Sequence, residues 1–216
     1  MKNKQSYLPY ASFAALFFVI LGYTDKFYPE TLAGFDKGLQ AAFRGQLPEA
    51  ATLFWSHITI LGNASVTILL MLGLASLFYW KKWKAEAYFL VLNFALMGFF
   101  STLLKYVYQR PRPTIEWLVN TTGYSYPSWH TASTLLIAGF LVIILQQRMK
   151  AGALRLLSQI GLVLVAILVA LSRIYIGVHF PTDIIGGWLL AVTILLAVFP
   201  YYDQYRFTQR FQSKQK

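Results

Sequence analysis

Apolar residues run along this chain in six long stretches, each closed by charged or turn-forming residues, and the pattern predicts six membrane-spanning helices. The first stretch, residues 11–23, follows Lys2 and Lys4 and precedes Asp25, Lys26 and Tyr28. No small-residue cleavage pattern comes after it, so a retained span is expected rather than a removable signal peptide. The second runs from about 53 or 58 to 80 and is stopped by Lys81, Lys82 and Lys84; the third covers 85–106. The fourth, 128–145, ends at Gln146, Gln147, Arg148 and Lys150, and the fifth and sixth cover 154–171 and 182–199. Each approaches the roughly 20 residues that a helix needs to cross the hydrocarbon core. Between the first two, residues 24–52 are mixed. There Leu32, Phe35, Leu39 and Phe43 recur at intervals of three and four, which suggests an amphipathic helix at the interface, with a plain connecting loop as the alternative. The expected fold is an all-α integral membrane protein: a six-transmembrane-helix bundle with an interfacial helical segment between helices 1 and 2, forming a single domain over 1–216.

Composition agrees with that pattern. An apolar fraction of 57% with 17% aromatics is too oily for a soluble domain of 216 residues. The chain has no cysteine, which excludes a disulfide framework and a thiolate metal site. The formal charge of +11 is scattered over loops instead of forming a face, so nucleic acid is not an expected partner. The charges fit orientation in a bilayer and attraction to anionic lipid. With six spans, the N-terminus, the loops at Lys81 and Arg148 and the C-terminal tail share one side and carry 12 of the 19 basic residues. By the positive-inside rule both termini are cytoplasmic and the remaining loops face outward. Tyr79, Trp80, Trp83, Trp117, Trp188, Tyr201 and Tyr202 read as interfacial anchors. His57, Asn63 and Asn93 read as interhelical hydrogen-bonding residues.

Three polar constellations stand on the outward side. The stretch LSRIYIGVHFPTD places Ser172, Arg173, His179 and Asp183 between two apolar runs, where ionisable groups are costly and mark function. His179 and Asp183 are about one helical turn apart, with Pro181 at a place that suits a helix start. A carboxylate that holds one ring nitrogen leaves the other free as nucleophile or base, and a guanidinium fork binds phosphate oxygens in pairs. In KYVYQRPRP, Lys105 ends the third span and Arg112 lies in a proline-stiffened segment. On their own these two are weak evidence, since basic residues at a span's end are usually snorkelling or orienting charges. In YPSWH, Pro127 and Ser128 open the fourth span with unpaired amides, an anion site to which His130 adds a proton donor or acceptor. Together the three supply what phosphoryl transfer needs: cations and amides for the spreading charge, a nucleophile, and an acid for the leaving group. On these grounds alone the roles of His179 and His130 are interchangeable.

These stretches resemble the signatures of the integral-membrane type 2 phosphatidic acid phosphatases, relatives of the vanadium haloperoxidases. The family pattern of a Lys, six residues and Arg-Pro matches Lys105, Arg112 and Pro113. Pro-Ser-Gly-His matches Pro127, Ser128 and His130, with Trp129 in place of the usual glycine. Ser-Arg, five residues, His, three residues, Asp matches Ser172, Arg173, His179 and Asp183. The resemblance implies a phosphohistidine intermediate on His179, oriented by Asp183, with His130 as acid. Lys105, Arg112, Ser128, Arg173 and the amide of Trp129 then hold phosphate, and Ser172 either contacts it or ties the loop. It implies no metal and no cofactor, a site near the outer membrane surface, and a phosphorylated lipid as substrate in a bacterial plasma membrane. Phosphatidylglycerophosphate is the first expectation, with phosphatidic acid and undecaprenyl pyrophosphate beside it. A Trp at position 129 keeps the backbone amide but is expected to crowd the pocket or shape substrate choice, together with residues 24–52. A lipid phosphotransferase with the same residues is the alternative; an anion transporter is a weaker one, because no internal repeat or pair of broken helices appears.

Overall fold

The structure is a computed structural model that describes residues 7–212, the side chains up to 209; Lys2, Lys4, Lys214 and Lys216 lie outside the described residues and the Arg210 side chain is not described. Its elements, all helical, are α1 (Tyr7–Phe27), α2 (Pro29–Arg44), α3 (Glu49–Ile58), a 3₁₀ turn (Thr59–Gly62), α4 (Ala64–Trp80), α5 (Lys84–Tyr108), α6 (Trp129–Arg148), α7 (Ala153–Tyr175) and α8 (Pro181–Gln212). Five of these, α1, α5, α6, α7 and α8, are long and apolar enough to cross a membrane. A bent pair, α3 with its 3₁₀ turn meeting α4 at 49°, is long and apolar enough when taken together, which makes five or six candidate spans. The protein is therefore the multi-pass helical membrane protein that the hydropathy pattern predicts. Two boundaries differ from expectation. The second span is broken at 59–63, and the last helix continues well past residue 199.

The continuation of α8 has a packing cause. Pro200 lies inside the helix, where a proline ordinarily removes a hydrogen bond. Beyond it, the Tyr202 ring stacks on Phe89 at 4.2 Å between centroids and its hydroxyl donates to Gln147 Oε1 at 2.7 Å. One turn further, Arg206 Nε lies 3.2 Å from Glu86. Glu86 is 1% exposed and also pairs with Arg148, whose guanidinium covers the Trp83 ring at 4.1 Å. This cluster ties α5, α6 and α8 at the end of the bundle opposite the polar clusters. Lys105 stands about 28 Å further along α5, at a rise of about 1.5 Å per residue. Removing one partner of a buried ion pair leaves an uncompensated charge. Glu86→Ala is expected to destabilise the fold by about 3 kcal/mol, read as a lower unfolding midpoint in detergent, while the folded fraction keeps its turnover rate. A loss of turnover without a fall in midpoint would show that this cluster reaches the distant site.

Residues 24–52 hold two helices. In α2 the interfacial pattern is realised with its polar side inward: Asp36, Gln40 and Arg44 are buried, whereas Phe35 and Leu39 are about half exposed. Phe43 packs beside Ala170, Ile174 and Ile184. Phe35 and Leu39 thus lie on the outer surface, as an interfacial helix requires, and the polar stripe rests on the loop between α7 and α8. The main core is formed by α5, α6 and α8, with Leu90, Met97, Leu136, Phe140 and Ala191 fully enclosed. Close approach of α6 and α8 depends on Gly187, where an added Cβ would stand 2.9 Å from the Ser128 carbonyl oxygen. That approach brings the start of α6 against the start of α8.

Candidate active site

The sequence clusters gather where α5 and α7 end and α6 and α8 begin. Pro181 opens α8 and Asp183 lies in its first turn. The Asp183 carboxylate reaches back over that start: Oδ2 accepts from the Phe180 amide at 2.9 Å and from His179 Nδ1 at 3.1 Å. Oδ1 accepts from Arg110 Nη1 at 2.7 Å and from the Ser125 hydroxyl at 3.4 Å. A carboxylate on Nδ1 sets the ring tautomer and leaves the Nε2 lone pair available. Arg112 Nη1 stands 3.3 Å from that Nε2. The result is a continuous line, Arg112–His179–Asp183–Arg110. His179 is 2% exposed, and burial pushes it down to about 3 against the opposing pull of Asp183, so the ring is neutral at neutral pH.

Around this line are cations without carboxylate partners. Lys105 Nζ donates to the Tyr124 carbonyl at 2.6 Å. Arg112 is held by the carbonyls of Val178 at 2.8 Å, Gly123 at 2.9 Å and Thr122 at 3.1 Å. Arg173 Nη1 donates to Thr59 Oγ1 at 2.7 Å while its Nε is buried without a partner. Among the described residues, no ion pair joins a carboxylate to Lys105, Arg112 or Arg173. Three cations left open in this way suit an anion. Ser128 occupies the N-cap position of α6 without a side-chain cap: its amide donates to the Asp183 carbonyl at 3.2 Å and its hydroxyl accepts from Thr131 at 3.1 Å. The free amides of the next turn add to the same positive field. His130 lies within electrostatic reach of Arg173, His179, Arg112 and Lys105, and its Nε2 is 2.9 Å from Asn63 Oδ1.

Residues 86–207 match the PAP2 superfamily. The chain belongs to the PAP2 superfamily. A phosphatidylglycerophosphatase B of Bacillus subtilis is 32% identical over 147 residues, which cover 65% of this chain and 70% of that protein. An undecaprenyl-diphosphatase of Sulfolobus acidocaldarius is 31% identical over 122 residues, 54% of this chain and 55% of the relative. The crystal structure of a transmembrane PAP2-type phosphatidylglycerolphosphate phosphatase from Bacillus subtilis superposes with a TM-score of 0.75 at 26% identity, over 90% of this chain and 96% of that one. This PAP2 protein is a membrane lipid phosphatase, and the resemblance seen in the three signatures is confirmed at the level of family and fold.

Within the PAP2 site, two signature residues take positions that the motifs alone do not fix. The Trp129 ring packs between α5 and α6, edge-on to Phe94 at 6.0 Å and against Gly98, where a Cβ would stand 3.6 Å away. The Ser172 hydroxyl donates to the Val169 carbonyl at 2.6 Å within its own helix. Other residues of this cluster are ones that the motifs do not specify. Arg110 gathers Asp183, Asp36 at 2.6 Å and Asp25 at 2.9 Å, the last without an aligned hydrogen bond. Thr182 joins them, donating to Asp36 from its amide at 3.0 Å and from its hydroxyl at 2.7 Å. Gln40 donates to the His179 carbonyl at 3.3 Å. One signal for this network was present in the chain: only eight acidic residues occur, and three of them converge here.

Proposed function

We propose that this protein hydrolyses the phosphomonoester or pyrophosphate of a membrane lipid by in-line attack of His179, with phosphatidylglycerophosphate as the preferred substrate. The observation that carries the mechanism is the pairing of His179 Nδ1 with Asp183 while Arg112 stands at the opposite nitrogen. Nε2 attacks phosphorus as the bond to the lipid oxygen breaks. Lys105, Arg112, Arg173, Ser128 and the Trp129 amide take the charge that spreads over the phosphoryl oxygens. His130 gives a proton to the departing lipid oxygen, then takes one from the water that cleaves the phosphohistidine. No cofactor or metal is assigned a step. The substrate choice is supported by the Bacillus subtilis phosphatidylglycerophosphatases named above, one similar in sequence and one in fold.

The single domain sits in a bacterial plasma membrane with both termini cytoplasmic and the site facing outward. Support comes from Lys81, Lys82, Lys84 and Arg148, which lie at the end of the bundle away from the site. Phosphate release by the purified protein in detergent with EDTA, compared over phosphatidylglycerophosphate, phosphatidic acid and undecaprenyl pyrophosphate, tests the reading. Fastest release from the first is expected; transfer of the phosphoryl group to another lipid in place of release would make the protein a phosphotransferase. His130→Ala is expected to lower kcat by on the order of 10²–10⁴-fold, slowing both departure of the lipid and hydrolysis of the phosphoenzyme. Parent-like turnover in that variant removes His130 as the acid.

A further inference from the structure

The break in the second span meets the site at three points. Thr59 accepts from Arg173, as described. Gly62 lies so close to His130 that an added Cβ would stand 2.7 Å from the ring Cδ2, 2.9 Å from the His130 Cβ and 2.7 Å from Val169. Asn63 holds the ring itself. Asn63 occupies the N-cap position of α4, where an asparagine side chain ordinarily accepts from the helix's first amides. It makes no such cap here. Its backbone carbonyl accepts from Thr67 instead, at 2.9 Å from the amide and 3.1 Å from the hydroxyl, and the side-chain amide is committed to His130 Nε2. A 3₁₀ turn within a span commonly marks a functional hinge, and helix breaks at membrane depth occur where they line a site. None of the three signatures includes these residues.

We infer that Asn63 is a positioning residue that fixes His130 as the Nε2–H tautomer, so that His130 exchanges its working proton through Nδ1. Nδ1 makes no hydrogen bond among the described residues. The inference rests on the acid–base role of His130 proposed above. In the first step the doubly protonated ring gives its Nδ1 proton to the lipid oxygen as the P–O bond breaks and the His179 Nε2–P bond forms. In the second, Nδ1 takes a proton from water as the water oxygen bonds to phosphorus and the P–N bond breaks, which releases inorganic phosphate and restores the ring. Nε2–H stays on Asn63 throughout, and the amide oxygen stabilises the protonated ring against the surrounding cations.

The test combines ring-nitrogen NMR of the full-length protein, labelled at histidine nitrogens, with kcat–pH profiles of Asn63→Ala and Asn63→Asp. In the parent, His130 is expected to show a protonated Nε2 and a bare Nδ1, and in Asn63→Ala a mixture of both tautomers. The alkaline limb of kcat is expected to move down by about one pH unit in Asn63→Ala and up by about one unit in Asn63→Asp. A merely structural asparagine would not move the limb in opposite directions. A parent ring protonated on Nδ1, or limbs that stay in place in both variants, overturns the inference while the acid role stands. Loss of the acid role is read separately, from His130→Ala turning over at the parent rate.

Discussion

Replacing His179 by alanine is expected to abolish phosphate release, by on the order of 10⁴-fold or more, while leaving the protein folded. The loss follows from the position of the ring: Asp183 takes its Nδ1 and leaves an unprotonated Nε2 beside Arg112. The fold should survive because Asp183 keeps Arg110 and the Phe180 amide as partners in the variant. Phosphate release and the acid-labile phosphoenzyme formed from labelled lipid are to be measured together. A phosphoenzyme that persists in His179→Ala would place the nucleophile elsewhere. The variant also carries a stability signature. Folded His179 binds a proton only below about pH 3, whereas the unfolded chain binds one below about 6.5. The unfolded state thus holds more protons between those values, and the parent loses stability as pH falls through that window. His179→Ala lacks this term, so its unfolding midpoint should fall less between pH 6.5 and 5 than that of the parent.

How much of this was written plainly in the chain differs between the fold and the site. The apolar runs of α1, α5, α6 and α7 are bounded by charges or turns, so their spans were legible to within a few residues. The second span was not, because the stretch around Ile60 and Leu61 keeps the apolar character of a continuous helix. Only the Gly62–Asn63 pair signals a break, and its cause is tertiary: Gly62 must admit the His130 ring. The end of α8 failed in the opposite direction. Pro200 and the polar residues after it read as a stop, yet packing of Tyr202 on Phe89 and pairing of Arg206 with Glu86 carry the helix onward. Local propensity is a weak prior where tertiary contacts decide.

For the site, the signatures name the residues proposed to bind phosphate and are silent on those that hold them. Spacing makes His179 and Asp183 legible as a pair because one helical turn separates them. Asp25, Asp36 and Arg110 are distant in sequence from one another or from Asp183, and no periodicity connects them. Asn63 reads in the sequence as an interhelical hydrogen-bonding residue, but nothing there names its partner. Its link to His130 bridges 67 positions, which hydropathy does not register.

Arg110 shows what those holding residues contribute, and its removal is the second large effect expected. Two residues apart and separated by Pro111, Arg110 and Arg112 grip the same His179–Asp183 pair from opposite ends: Arg112 at Nε2 of the histidine, Arg110 at Oδ1 of the aspartate. Arg110 is also the shared counter-charge of Asp25 and Asp36, and its guanidinium lies over the Phe180 ring at 4.3 Å. Arg110→Ala leaves three buried carboxylates facing one another, which should cost about 3–5 kcal/mol and abolish activity along with the fold. Arg110→Lys separates position from stability. An ammonium supplies the charge but not a planar fork able to donate to Asp183 and Asp36 at once. The lysine variant should therefore fold, with kcat lowered by about 10–100-fold and KM nearly unchanged, because Arg110 faces carboxylates while Lys105, Arg112 and Arg173 remain open to phosphate. A raised KM with an unchanged kcat would instead make Arg110 a phosphate ligand. The same logic gives α2 its place in the enzyme: Asp36 holds both Arg110 and Thr182, so the helix whose outer surface carries Phe35 and Leu39 also braces the start of α8 and, through Asp183, the proposed nucleophile His179.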